Sequence, residues 1–401
     1  MTTPTHLRCC LRGGAQPCWG GPARAEAVRP APKPAVMQRL PLIDLLKAVA
    51  SQLIVLHHLA FYGPMSDVVA QAAPQLIEWL ARHGRLAVQV FLVVGGFLAA
   101  RQLAPEGRLV LVGSKLAALR ERYLRLALPY AATLLVVLVC AALARRLMTH
   151  PSIPEPAGWW PLLAHLLLLQ DLLGVDALSA GVWYVAIDFQ LFALLVGLLW
   201  LAVPLERRLG LRQPLAPWLV TALWLASLLH FNRQGAWDVA APYFFGAYGL
   251  GAMAAWWASA PMRPRWRVAS AAGAGAVVAS ALLLDWRPRI ALAAVVALAI
   301  MTAARWRFDL PGWAKGVVGR LSRISYCLFL VHFGVCLVIN AAFVRFLPAT
   351  AAVQGLGMLL AWGASLGAAA LMHRWVEVPA VHWVAARGTR AVASARSAVV
   401  L

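Results

Sequence analysis

Residues 182–203 read Val-Trp-Tyr-Val-Ala-Ile-Asp-Phe-Gln-Leu-Phe-Ala-Leu-Leu-Val-Gly-Leu-Leu-Trp-Leu-Ala-Val. One carboxylate, Asp188, interrupts an otherwise uncharged run. As a helix at about 1.5 Å per residue the run covers about 33 Å, which matches the hydrocarbon core of a bilayer. Comparable runs occupy residues 41–62, 86–103, 125–147, 215–231, 240–258, 267–284, 289–304, 322–346 and 352–375. The 401-residue chain is 62% hydrophobic and 13% charged, where a soluble domain carries about 25% charge. So few polar groups cannot cover a water-facing surface. This excludes a soluble enzyme, a disordered chain and a coiled coil. The reading is an all-α polytopic membrane protein with about ten transmembrane helices. The segment 159–173 is too short and too interrupted for a span and reads as interfacial or re-entrant. Were it to cross, the count would become eleven and the C-terminus would change side.

The formal net charge is +21. In a soluble protein that balance would suggest nucleic acid. Here the basic residues sit in short clusters between apolar runs, where they set membrane orientation, so no nucleic-acid partner is expected. With the N-terminus inside, the inner segments hold 27 of the 36 Lys and Arg, the outer segments hold eight, and Lys47 lies within a span. This alternation places both termini in the cytoplasm. Residues 1–36 read as a disordered basic tail without the apolar stretch of a signal peptide, and Met37 is an alternative translation start. Residues 37–385 form the membrane domain and 386–401 a cytoplasmic tail. Cys9, Cys10, Cys18, Cys140, Cys327 and Cys336 show neither a metal-ligand spacing nor a disulfide framework.

Ionisable groups at membrane depth are costly and face polar interiors. The first span carries Asp44, Lys47, Ser51, Gln52, His57 and His58. At about 100° per residue, Asp44, Lys47 and His58 share one stripe, whereas His57 lies about 80° from Lys47. Asp44 and Lys47 read as a structural ion pair at a helix end, or as the polar wall of a tunnel containing a histidine base. Asp188 is a satisfied core carboxylate or a site acid. Ser325 and Tyr326 suit interhelical hydrogen bonds, and His332 follows on the same span. Arg122 and Arg125 stand one turn apart at an inner membrane mouth. There they serve as orientation anchors and lipid-headgroup contacts, or as paired forks for a phosphate-bearing ligand.

Together these residues resemble acyltransferase family 3, a family of membrane-bound O-acyltransferases, from about Arg39 to Pro379. Arg39-Leu-Pro-Leu-Ile-Asp44-Leu-Leu-Lys47 followed by His58 resembles the opening motif, a basic residue and ten positions before a histidine. His57 does not fit that interval. Phe91-Leu-Val-Val-Gly95-Gly96-Phe97 resembles a motif that usually ends Ser-Gly-Phe, with Gly95 in the serine's place. Arg122-Tyr-Leu-Arg125 with Pro129 resembles an Arg-x-x-Arg motif. Trp183 to Asp188 resembles a Trp-x4-Glu motif with a shorter acid. Ser325-Tyr326 to His332 resembles a late Ser-Tyr…His motif, and Glu377-Val-Pro379 a closing Glu-x-Pro.

The resemblance implies an acyl-coenzyme A donor, usually acetyl-CoA, and a hydroxyl acceptor on a glycan, lipid-linked sugar or small molecule. It also implies a bacterial inner (cytoplasmic) membrane as the location. On this reading His58, Lys47 and Asp44 are catalytic and Arg122 and Arg125 bind the donor. Asp188, Ser325, Tyr326, His332 and Glu377 are further candidates. No permanently bound cofactor and no metal are expected, because thioester chemistry needs only a general base and oxyanion stabilisation. The competing classes are a secondary transporter with proton-coupling residues Asp44, Lys47, Asp188 and His332, and a membrane scaffold. An evident internal repeat would favour the transporter, and ionisable groups at depth disfavour the scaffold.

Overall fold

In the computed structural model of the chain, residues 40–110, 114–259, 262–306 and 308–387 are described. The basic tail and its cysteines Cys9, Cys10 and Cys18 lie outside the described residues, as does the C-terminal tail beyond Arg387. Among the described residues the regular structure is helical throughout. The helices are α1 (Pro41–Phe61), α2 (Pro64–Ala72), α3 (Pro74–His83), α4 (Val88–Leu103), α5 (Lys115–Leu147), α6 (Trp159–Leu166) and α7 (Val182–Arg208). They continue as α8 (Ala216–Leu229), α9 (Ala241–Ser259), α10 (Pro264–Leu284), α11 (Pro288–Trp306), α12 (Gly312–Phe346) and α13 (Ala351–Met372). A π-turn, His373–Glu377, prolongs α13.

A helix stands at each of the ten expected positions. Eight helical stretches are long and apolar enough to cross a membrane, so the expectation of ten is met by eight on length and hydropathy alone. The other two depart for identifiable reasons. At 14 residues α8 covers only about 21 Å, short of the hydrocarbon core. Its last turn is closed by an arginine: Arg287 Nη1 donates to Leu228 O at 2.9 Å and to Asn232 Oδ1 at 3.0 Å. Helix α9 gives much of its length to tyrosines and glycines (Tyr243, Gly246, Tyr248, Gly249, Gly251), which lower its hydropathy. It runs inside the protein, with Phe245 and Tyr248 fully buried.

Helices α4 and α9 meet almost backbone to backbone. A Cβ added at Gly96 would lie 1.9 Å from Tyr248 O, and one at Gly251 would lie 2.0 Å from Val93 O. In lipid, helices gain nothing hydrophobic by leaving the solvent, so small residues that permit close contact drive association. The outward faces show the complement. Leu135, Val139, Leu283, Leu284 and Leu359 are exposed large apolar residues, as expected of surfaces whose solvent is hydrocarbon. Helices α5 (33 residues) and α12 (35 residues) are about 50 Å long. They exceed the bilayer and carry Arg-rich ends beyond it.

The segment read as interfacial or re-entrant packs along α5. Arg145 Nη1 donates to Pro154 O at 2.6 Å near one end of α5, and Tyr123 Oη donates to Leu166 O at 2.6 Å near the other. Positions 123 and 145 of one helix are about 33 Å apart. The chain from Pro154 to Leu166 therefore runs back alongside α5. Helix α6 has eight residues, too few to cross. Non-helical backbone at this depth is tolerated because protein, not lipid, surrounds it: His165 and Gln170 are fully buried, and His165 Nε2 accepts from Leu178 N at 3.2 Å.

Candidate active site

Helix α1 presents its polar stripe to α12. Near one end, Ser322 Oγ donates to Asp44 Oδ1 at 2.7 Å; near the other, His58 meets His332. The helical-wheel expectation that Asp44 and His58 share a face holds. His57 is turned to α3, where its Nδ1–H donates to Leu80 O at 3.1 Å. Lys47, half-buried, lies on the Asp44 half of α1.

The two histidines form an ordered chain. His58 Nδ1 and His332 Nε2 are 2.6 Å apart, with ring planes 1° from parallel. His332 Nδ1 is 2.9 Å from Leu328 O. A carbonyl oxygen can only accept, so His332 carries its proton on Nδ1 and leaves Nε2 bare. His58 must then donate from Nδ1, and its Nε2 keeps a lone pair. Two buried side chains 274 residues apart thus settle one tautomer, which leaves a base nitrogen on the ring of His58.

That ring lines a cavity of about 400 Å³, bounded also by His57, Tyr62, Arg85, Ser179, Trp183 and Phe329. Gly181, at φ +82°, turns the chain into α7 at the cavity wall. The left-handed conformation favours glycine, and so does the space. An added Cβ would stand 2.9 Å from Phe329 Cζ and 3.6 Å from His58 Cε1.

A second polar centre lies farther along the bundle. Arg122 Nη2 donates to the buried Asp188 Oδ2 at 2.5 Å, and the guanidinium lies 5.4 Å from the Phe192 ring centre. Tyr248 flanks the acid, and so does Gly95, whose added Cβ would lie 3.6 Å from Asp188 Oδ1. The two departures from the family pattern, glycine for serine and aspartate for glutamate, therefore meet at one point. Along α12 the order Ser322, Tyr326, His332 gives the depth. Tyr326 Oη donates to Leu126 O at 2.9 Å, one turn from Arg122 and about 9 Å of helix before His332. Tyr184 and Phe329, in edge contact at 5.2 Å, lie between the two centres.

The structure separates the two arginines expected to act as one clamp. Arg122 turns inward to Asp188, while Arg125 pairs with Glu121 on its own helix. Each keeps a buried Nε–H without a partner among the described residues. Ser325 makes a local bond, Oγ to Ser322 O at 2.8 Å. Glu377 Oε2 accepts from Cys327 Sγ at 3.0 Å and from His373 Nδ1 at 2.7 Å. These three groups bring potential metal-ligand atoms within 4.8 Å of one another, a cluster that sequence spacing did not suggest. It is internally satisfied, the carboxylate accepting from both neighbours. Cys140, Cys327 and Cys336 are free thiols. Sequence reasoning also missed Arg85, Ser179 and Trp183 as cavity residues: Arg85 reads as an ordinary outer-loop cation, and Ser179 stands in a segment without periodicity.

Taken together, these features define a polytopic helical membrane protein that buries a histidine pair beside a cavity and an arginine–aspartate pair on the helices around it. Residues 40–371 match the family model described as an acyltransferase domain. The match covers well over half of the chain, which belongs to acyltransferase family 3 and is an integral membrane acyltransferase. Neither the curated proteins nor the solved structures yield a match.

Proposed function

We propose that the protein moves an acyl group, acetyl in the simplest case, from acyl-coenzyme A to a hydroxyl of a glycan, a lipid-linked sugar or a small molecule, in a bacterial inner membrane. The observation that carries this reading is the His58–His332 pair at the cavity. His58 Nε2 takes the proton of the acceptor hydroxyl. The alkoxide oxygen attacks the thioester carbonyl and forms the new C–O bond. The C–S bond then breaks, and the coenzyme A thiolate recovers the proton from His58 Nε2. During the step His58 is a cation, and His332 Nε2 stabilises it by accepting its Nδ1–H. His332 is thus a positioning residue, and Leu328 O holds its tautomer.

The basic loops place the Arg122 end of the bundle toward the cytoplasm, where the donor is found. Arg125 and the unpartnered Nε–H groups of both arginines suit the phosphates of coenzyme A, because guanidinium forks bind phosphate bidentately. Arg122 keeps Asp188 as its permanent partner on this reading.

The test is thiol release from acetyl-CoA together with acyl transfer, in membranes with matched protein levels. Loss of a general base costs about 10²–10⁴ in rate, so His58→Ala should show no detectable transfer while its insertion and coenzyme A binding stay normal. His57→Ala should keep much of the activity, since its ring is tied to Leu80 O. An active His58→Ala protein would remove this assignment and turn attention to His57 or His332.

A further inference from the structure

The cavity beside His58 has a one-sided electrostatic lining. Its fourteen residues include no aspartate or glutamate, and Arg85 is the only permanently charged group among them. Arg85 makes no ion pair or hydrogen bond among the described residues. Arg85 is an exposed residue at the cavity rim, and its backbone is fixed there by close packing of its 3₁₀ turn on α1: a Cβ at neighbouring Gly84 would lie 2.7 Å from His57 Cβ and 3.1 Å from Leu53 O. Two further features near the start of α7 suit a polar, anionic ligand. Ser179 is 2% exposed, lines the cavity, and its hydroxyl has no partner among the described residues. A buried hydroxyl left unpaired is destabilising, and a ligand that pairs it recovers that loss. Next to it begins α7, a 27-residue helix whose first turn has no side-chain cap and no acidic residue. Its free N–H groups favour negative charge. Trp183 and Phe329 supply apolar walls, and the volume of about 400 Å³ lies at the small end of small-molecule sites.

We propose that this cavity is the acceptor site and that the acceptor is an anionic polyol. A ring of sugar size would place one hydroxyl at His58 Nε2, a second polar group at Ser179, and a phosphate or carboxylate substituent against Arg85. This deepens the acyltransferase reading and rests on it for the hydroxyl at His58. The anion is the new element. A sugar phosphate, free or attached to a lipid carrier, and a uronic acid share the required chemistry.

Two readouts on the full-length protein in lipid nanodiscs test it. The first is binding by equilibrium dialysis of radiolabelled glucose 6-phosphate, glucuronate and methyl glucoside, with no donor present. The wild-type protein should bind one or both anions at least about tenfold more tightly than the neutral sugar, as expected for a charge-assisted contact. Arg85→Gln should remove the difference, Arg85→Lys should restore part of it, and Arg85→Glu should abolish anion binding while leaving the neutral sugar unchanged. Tighter binding of the phosphate than of glucuronate identifies the phosphate class, and the reverse identifies the uronate class. The second readout is transfer from acetyl-CoA to the same three compounds, where Arg85→Gln should raise KM for the anion and leave kcat nearly unchanged. Equal binding of all three compounds, or anion binding indifferent to Arg85, overturns the proposal whatever the activity. Arg85-dependent anion binding without any acyl transfer supports the site and overturns the transferase reading of it.

Discussion

Asp188 is buried and Arg122 half-buried within a low-dielectric bundle, so each charge is compensated by the other. Removing one partner of a buried ion pair costs about 3–5 kcal/mol, whereas replacing both by apolar groups of similar size is often nearly neutral. Arg122→Ala or Asp188→Ala should therefore lower the thermal unfolding temperature in detergent markedly. Arg122→Met combined with Asp188→Leu should recover most of the loss, though not the activity. Additive losses in the double variant would mean that the two side chains are not coupled. The histidines carry the opposite lesson. His58 was singled out by its interval to Lys47 and its place on the stripe, both local properties of one helix. Its partnership with His332 spans nearly the whole chain, and no local pattern encodes which buried imidazole meets which.

At the scale of the element, the α4–α9 crossing is the contact most sensitive to a single added methyl. Gly96→Ala and Gly251→Ala place a Cβ about 2 Å from a carbonyl oxygen on the facing helix, so the helices must separate. Overpacking costs about 1–3 kcal/mol in soluble cores, and here it would also pull Tyr248 away from Asp188. Both variants should show reduced yield of folded protein by gel filtration in detergent. Gly197→Ala on α7, where an added Cβ meets nothing within 4 Å, should behave as wild type. Helix positions were legible because long apolar runs have one stable form in lipid. Less legible were the short amphipathic pieces α2 and α3 and the length of α8. Periodicity in a nine- or ten-residue window is weak, and an arginine from a distant loop closes α8 in place of a local cap. The re-entrant course of 154–166 is a tertiary property, visible in the sequence only as a failure to reach span length.

For the whole molecule, the alternation of basic loops predicts an orientation that reporter fusions can test. Fusions after residue 210 and after residue 265 should read cytoplasmic, and one near Thr350 should read external. With 159–173 read as re-entrant, fusions at Gly158 and Gly174 should both read external. A cytoplasmic signal at Gly174, or an external one after residue 265, would break the arrangement. On the proposed orientation the His58 cavity would face the outer leaflet and the arginines the cytoplasm, and the proposed donor and acceptor would then approach from opposite faces. The family and its reaction class were legible from six short motifs in order along the chain. The cavity beside His58 was not, since Arg85, Ser179 and Trp183 come from separate stretches and carry no shared spacing.

The re-entrant segment also bears on how the chain is made. A ribosome delivers α5, then residues 154–166, then α7, long before α12 exists. The returning stretch has no run long enough to partition into lipid by itself, and its loop backbone needs protein neighbours. Phe329 and His332, which close the cavity wall and partner His58, are synthesised more than 100 residues later. Until then the polar end of α1 and the returning loop must wait beside the translocation channel with their final neighbours missing. Insertion of α12 is therefore the event that brings His332 to His58. A chain that stalls before that point lacks His332, and the imidazole of His58 has nothing to set its tautomer.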